Sequence, residues 1–218
     1  KLMADFSRQS GRKVTFTLVQ SPDYAPDTWE RLLEMVVTAN QTGAQLYPQV
    51  SSRPIGLASG LSGYHAFQRR PTYMKLAHLP LAERAREMAK PEIKAAIMSE
   101  TDVLVDQPGS MANMYQLFQT AAMFLYPLAD PVDYEPDPSE MLGSRAAATG
   151  QDVLDLLYDY LLEQDGAAMC ALMGGPNVHD SQEVLRQMLI HPETVTGLSD
   201  AGAHVTLICD ATMPTTQL

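Results

Sequence analysis

Apolar and β-branched residues fill positions 14–19, Val14-Thr15-Phe16-Thr17-Leu18-Val19. Such a run predicts a strand buried on both faces, as in a parallel sheet. A turn cluster with Pro22 and Pro26 follows. Asp27 with Glu30 three residues later then has the form of a capping box. Trp29, Leu32, Leu33, Val36 and Val37 recur at helical spacing, and Gly43 suits the left-handed position just beyond the helix. Residues 44–50 read as the next strand. Strand, helix and strand in this order predict a parallel pair joined by a right-handed crossover.

Residues 51–122 interrupt the rhythm. Glycines and a proline make 51–63 read mostly as loop. A helical pattern over 81–98 breaks at Pro91, which suits the first turn of a second helix. A further helix is expected over 111–122. This segment predicts a mainly helical insertion. Residues 124–126 read as a short strand. Residues 130–138 hold four acids and three prolines, which excludes a helix or a central strand. The alternation then resumes. A helix over 152–164 has Gly166 beyond it, and a buried strand covers 168–173. A helix opens at Asp180 to Glu183 and stops before Pro192, and a last strand covers 194–198. This is the grammar of an α/β barrel or a doubly wound sheet.

The composition adds exclusions. Of 218 residues, 45% are hydrophobic and 19% charged, as in ordinary folded proteins. The net charge of −11 removes any counterion-release affinity for nucleic acid and sets the chain against anionic membranes. No apolar run approaches the roughly 18 residues of a membrane-spanning helix. Cys170 and Cys209 cannot form a disulfide scaffold and lack metal-site spacing. No basic leader is visible, so a cytoplasmic protein is expected. The chain starts at Lys1 within a helix-like stretch, which reads as an internal piece of a longer protein.

In parallel α/β folds, functional residues gather just past the carboxyl ends of strands. Those positions hold Gln20, Ser21 and Asp23; Tyr47, Gln49, Ser51, Ser52 and Arg53; Asn177, His179 and Asp180; and Asp200 and His204. Asp200 stands out, because a carboxylate after a buried strand is costly unless paired, hydrogen-bonded or metal-bound. It can serve as a helix cap for the next segment or as a metal ligand or general base. His204, four residues on, either faces the same pocket or is structural. Arg53 suits a substrate carboxylate, which a planar guanidinium binds bidentately, or a structural ion pair. Cys170, inside an apolar strand, reads as a buried, inert thiol. No nucleophile elbow is present, since Gly56-Leu57-Ala58-Ser59-Gly60 misplaces its serine.

The stretch His191-Pro192-Glu193-Thr194-Val195-Thr196-Gly197-Leu198-Ser199-Asp200-Ala201-Gly202-Ala203-His204-Val205 resembles the last-strand signature of the D-aminoacylase-like amidohydrolases, the N-acyl-D-amino-acid deacylases. Ala44-Gln45-Leu46-Tyr47-Pro48-Gln49-Val50 with Arg53-Pro54-Ile55-Gly56 resembles their tyrosine-proline strand. Ala77-His78-Leu79-Pro80-Leu81-Ala82-Glu83-Arg84 and Ile208-Cys209-Asp210 also fit. The resemblance implies the C-terminal part of a (β/α)8 TIM-type barrel, incomplete here, that hydrolyses carbon–nitrogen bonds in linear amides. It implies zinc, with Asp200 as general base and metal ligand, and Tyr47, Arg53 and His204 as substrate-binding residues. The substrate would be a small N-acyl amino acid or related amide. The family's His-x-His pair is absent, and residues 14–20 carry no histidine. The ligand set is therefore incomplete in this chain, which is expected to be inactive alone. A partial barrel exposes sheet edges, so a homo-oligomer or packing with a missing N-terminal part is expected. The competing expectation is a metal-free, non-catalytic barrel descendant that binds a small carboxylated ligand through Arg53 and Tyr47.

Overall fold

The computed structural model describes residues 1–20, 25–107, 109–174, 182–197, 206–208 and 212–216. In chain order its elements are α1 (Leu2–Ser10), β1 (Val14–Thr17), α2 (Thr28–Gln41), β2 (Leu46–Val50), β3 (Ile55–Gly60), α3 (Pro71–Leu76), α4 (Leu81–Met88), α5 (Pro91–Ser99), α6 (Tyr115–Thr120), β4 (Leu125–Pro127), α7 (Leu142–Thr149), α8 (Val153–Leu162), β5 (Met169–Gly174), α9 (Glu183–Ile190), β6 (Val195–Thr196) and α10 (Met213–Thr216). They divide into two compact units. The first takes Lys1–Ile55, Met173–Ala203 and Ile208–Leu218; the second takes Gly56–Leu172 and His204–Leu207.

In the first unit, β1, β2 and β6 form a parallel sheet in the order β1-β2-β6. The expected strand–helix–strand unit is present, with α2 linking β1 to β2. One face of the sheet carries Val14, Phe16, Leu46, Pro48 and Val50. Two apolar clusters cover it. Leu18, Trp29, Leu33, Val50, Leu185 and Met188 form one, and Ala4, Val36, Ala44 and Leu46 the other. Each fully buried Leu or Met here contributes about 1.5–3 kcal/mol relative to exposure. The opposite face carries Thr15, Thr17, Tyr47, Gln49 and Val195. The threonines and Val195 are exposed, and Tyr47 and Gln49 half-buried. Thus β1 alternates instead of burying both faces. Its threonines supply β propensity without apolar bulk, and the apolar-looking run hid a period of two.

The start of α2 also differs from the expectation. Asp27 makes no side-chain cap, because its backbone sits at φ −96°, ψ 5° rather than the extended geometry a cap needs. Instead the buried Gln20, just past β1, accepts the Trp29 N–H at 3.1 Å and donates to the Ala25 carbonyl at 3.1 Å. At the far end Gly43 takes φ +89°, as the helix stop requires. Asn40 then ties α2 to β2, bonding both the N–H and the C=O of Leu46 at 2.8 and 3.0 Å.

The second unit holds the sheet β3-β5-β4, in which β4 and β5 run antiparallel. The strand expected over 168–173 is therefore real, but it does not extend the parallel sheet. Residues 55–60, expected as loop, form β3. Gly60 marks close approach and not a turn: a Cβ there would lie 3.0 Å from the Met169 Cγ and 3.4 Å from the Ala168 carbonyl oxygen. The expected break at Pro91 separates α4 from α5. Asp152 caps α8, accepting from the N–H groups of Leu154 and Asp155 at 2.9 and 3.2 Å. Residues 130–138 contain neither an α-helix nor a strand, as their prolines demand.

A largely buried ion pair joins α3's entry to the segment after α5. Arg70 Nε lies 3.1 Å from Asp102 Oδ1, with side chains 14% and 15% exposed. Asp102 Oδ2 also accepts from Gln119 Nε2 at 3.0 Å, and the same nitrogen donates to the Ala66 carbonyl. Asp102→Ala strands a guanidinium without its counter-charge, so urea unfolding is expected to show a loss of about 3 kcal/mol. A loss below about 1 kcal/mol, the ordinary worth of an exposed pair, would show that the pair is solvent-screened.

Candidate functional site

Because β1, β2 and β6 are parallel, their carboxyl ends lie at one edge of the sheet. Hydrogen bonds lock this edge together: Leu18 N–H donates to the Gln49 carbonyl at 2.9 Å, and Gly197 N–H to the Val50 carbonyl at 3.0 Å. Gly197 is the last described residue before the segment holding Asp200 and His204, and both lie outside the described residues. Asn177, His179, Asp180 and Cys209 lie outside them as well.

Tyr47 sits mid-strand on the open face of the sheet. The Lys13 ammonium stands 5.4 Å from its ring centroid, a cation–π contact. Its hydroxyl meets no hydrogen-bond partner among the described residues. Arg53, three residues beyond β2, is only 5% exposed. Its Nη2 donates to Thr212 Oγ1 at 2.9 Å, and Ser52 Oγ donates to the Met213 carbonyl at 2.8 Å. The guanidinium is thus oriented by the chain leading into α10. The structure places Tyr47 and Arg53 along one strand and its exit.

Two residues of the same strand exit went unassigned in the sequence. Ser51 is 1% exposed, and its hydroxyl has no hydrogen-bond partner among the described residues. The Gln49 side-chain amide has none among the described residues either. The signal was their place at the carboxyl end of a parallel strand, which uncharged residue types left unmarked.

The second unit offers a different set of buried polar groups. His65 is completely buried, with its Nδ1 accepting the Phe67 N–H at 3.2 Å. Its ring stands edge-on to Tyr73, with centroids 4.4 Å apart. Arg84 donates to the Tyr73 hydroxyl at 2.7 Å and to the Leu61 carbonyl at 3.0 Å. Cys170, buried in β5, has its thiol pushed up to about 12 chiefly by burial, so it is not a nucleophile near neutral pH. An open groove of about 710 Å³ is lined by Leu104, Val105, Gln107 and Asn113. Asn113 is committed to both backbone groups of Val105, and Asp106, Ser110 and Gln116 line the groove as well. Among the described residues no three His, Cys, Asp or Glu side chains come together as a metal site.

The described residues define a mixed α/β protein whose first unit presents a parallel strand edge. No helix among them is long and apolar enough to cross a membrane. No family model matches the sequence, and no curated protein or solved structure matches it.

Proposed function

We propose that this chain is the later part of a (β/α)8-type barrel hydrolase acting on carbon–nitrogen bonds of linear, non-peptide amides, similar to the N-acyl-D-amino-acid deacylases. One observation carries the reading. β6 joins β2 in parallel register, Gln49 opposite Val195 and Val50 opposite Thr196, so the chain leaves β6 at the carboxyl edge. Asp200 follows four residues after Thr196. That edge is where parallel α/β enzymes gather their catalytic groups.

In this reading Asp200 takes a proton from the attacking water while the water oxygen bonds to the amide carbon. The carbon–nitrogen bond then breaks, and Asp200 returns the proton to the leaving amine nitrogen. Tyr47, Arg53 and His204 hold the substrate, a small N-acyl amino acid or related amide. Zinc, when bound, polarises the carbonyl and acidifies the water. Asp200 supplies one ligand, and the rest of the set must come from outside the described residues, since a catalytic zinc wants about three protein ligands. The acidic charge fits a cytoplasmic protein that binds neither nucleic acid nor membrane. The place of β6 at the sheet's edge among the described strands, with Val195 exposed, fits a chain packed against further barrel strands or a second copy.

Elemental analysis of the full-length protein is expected to find zinc at about one ion per chain. The alternative, a non-catalytic binder of a small carboxylated ligand, draws on β1, whose open face offers Thr15 and Thr17 and no histidine. Metal-free protein that still binds N-acyl amino acids would favour that binder and reject the hydrolase.

A further inference from the structure

We infer that Gln49 and Ser51 form the part of this edge that receives the amide group of the ligand, a reading that rests on the function proposed above. Tyr47 and Gln49 lie two residues apart on one face of β2, and Ser51 follows directly after the strand's last residue, Val50. That face is the one left open by the helices, and its end is the carboxyl end of the parallel strands.

Gln49 is half-buried and held in place without being bonded. Gly197, the residue after β6, has no side chain, and a Cβ built there would sit 3.5 Å from Gln49 Nε2 and 3.6 Å from its Cδ. A side chain there would thus meet the carboxamide only at ordinary contact distance. Its donor and acceptor find no partner among the described residues. Ser51 goes further: its hydroxyl is buried and has no hydrogen-bond partner among the described residues. Buried polar groups are almost always satisfied, so an orphan at a strand exit calls for a ligand or a functional reason.

The donor inventory selects the ligand. A carboxamide offers an acceptor and a donor side by side, the complement of the C=O and N–H of an amide. A carboxylate could use only the donor. The serine hydroxyl adds a second donor for the carbonyl oxygen. These neutral groups suit the acyl amide, and the Arg53 guanidinium suits the carboxylate end of an N-acyl amino acid.

The test uses full-length protein carrying Asp200→Asn, so that binding is read without turnover. The probes are N-acetyl-D-alanine and its ketone isostere, in which CH2 replaces the amide N–H, titrated by calorimetry. The parent protein is expected to prefer the amide by about tenfold, because the isostere leaves the Gln49 oxygen unpaired. Gln49→Leu is expected to bring the two probes within about twofold of each other, a residual difference too small to reflect a paired hydrogen bond. Gln49→Glu keeps the shape, removes the donors and is expected to weaken N-acetyl-D-alanine by about tenfold or more. Ser51→Ala is expected to weaken both probes and to melt no lower than the parent, since the lost hydroxyl bonds nothing in the free protein. A parent that binds neither probe, or a Gln49→Leu protein that keeps the full preference, overturns the inference. The two readings fail separately. If Asp200→Asn hydrolyses amides like wild type while Gln49→Leu erases the preference, the hydrolase role of Asp200 falls and the amide cradle stands. The reverse pair of results removes the cradle alone.

Discussion

Asp200→Asn in the full-length protein is expected to lower kcat/KM for N-acyl amino acid hydrolysis by about a thousandfold or more, a loss of roughly 4 kcal/mol in transition-state stabilisation. The substitution is nearly isosteric, so the fold should survive. What disappears is the proton acceptor for the attacking water and the donor to the leaving nitrogen, and general acid–base groups contribute about 10²–10⁴ each. The loss should fall on kcat more than on KM, because the amide of Asn still occupies the same space. Steady-state kinetics on both proteins, with circular dichroism to establish folding, gives the answer. Hydrolysis within about threefold of wild type, far short of a general-base loss, would remove Asp200 from the chemistry.

Acid is expected to weaken the second unit through His65. Burial, and after it the charge of Arg84, hold this imidazole down at about 3 instead of 6.5. The neutral ring is the species the structure accommodates, for Nδ1 accepts the Phe67 N–H and the proton belongs on Nε2. That nitrogen has no nitrogen or oxygen partner among the described residues, and the ring meets Tyr73 edge-on at 76°, where an N–H can rest against an aromatic face. The sign follows from linkage. Between pH 6.5 and 3 the unfolded chain binds a proton that the folded chain refuses, so stability falls as the pH falls. From pH 7 to 4.5 the loss is on the order of 3 kcal/mol. Carboxylates held low, such as Glu183 at about 2 through Arg186 and Gln187, titrate below this window.

His65→Asn supplies an oxygen for the Phe67 N–H and nothing that titrates. It is expected to be less stable at pH 7 yet to lose much less between pH 7 and 4.5. Urea unfolding at the two pH values measures both proteins. Equal losses in the two would mean that His65 takes up its proton normally in the folded state.

Local structure was legible where a residue's own chemistry sets the backbone. Pro91 divides α4 from α5, Gly43 ends α2, and the prolines of 130–138 exclude helix and strand in any fold. The strand read over 44–50 is likewise present, as β2 over Leu46–Val50. The capping of α2 was not legible. The residue that caps it, Gln20, reaches across eight intervening residues, and only the path of the turn brings it there. Asp27, chosen by spacing, lacks the dihedral angles to do so.

The site divides in the same way. Asp200 and Arg53 stood out because charge after an apolar strand is costly wherever the strand goes. Gln49 and Ser51 carry no such mark, since a glutamine and a serine are unremarkable until their partners are counted in three dimensions.

By itself, the sequence determined the strand–helix–strand unit of residues 14–50, the breaks at Pro91 and Gly43, and the position of Asp200 after the last strand. Periodicity and backbone restriction act over a few residues and need no distant partner. Only the tertiary structure decided that β5 turns to pair antiparallel with β4, that 55–60 is a strand, and that Ser51 and His65 are buried without full satisfaction. Strand pairing and burial are properties of what lies opposite a residue. That neighbour is fixed by the packing of segments far apart in the chain.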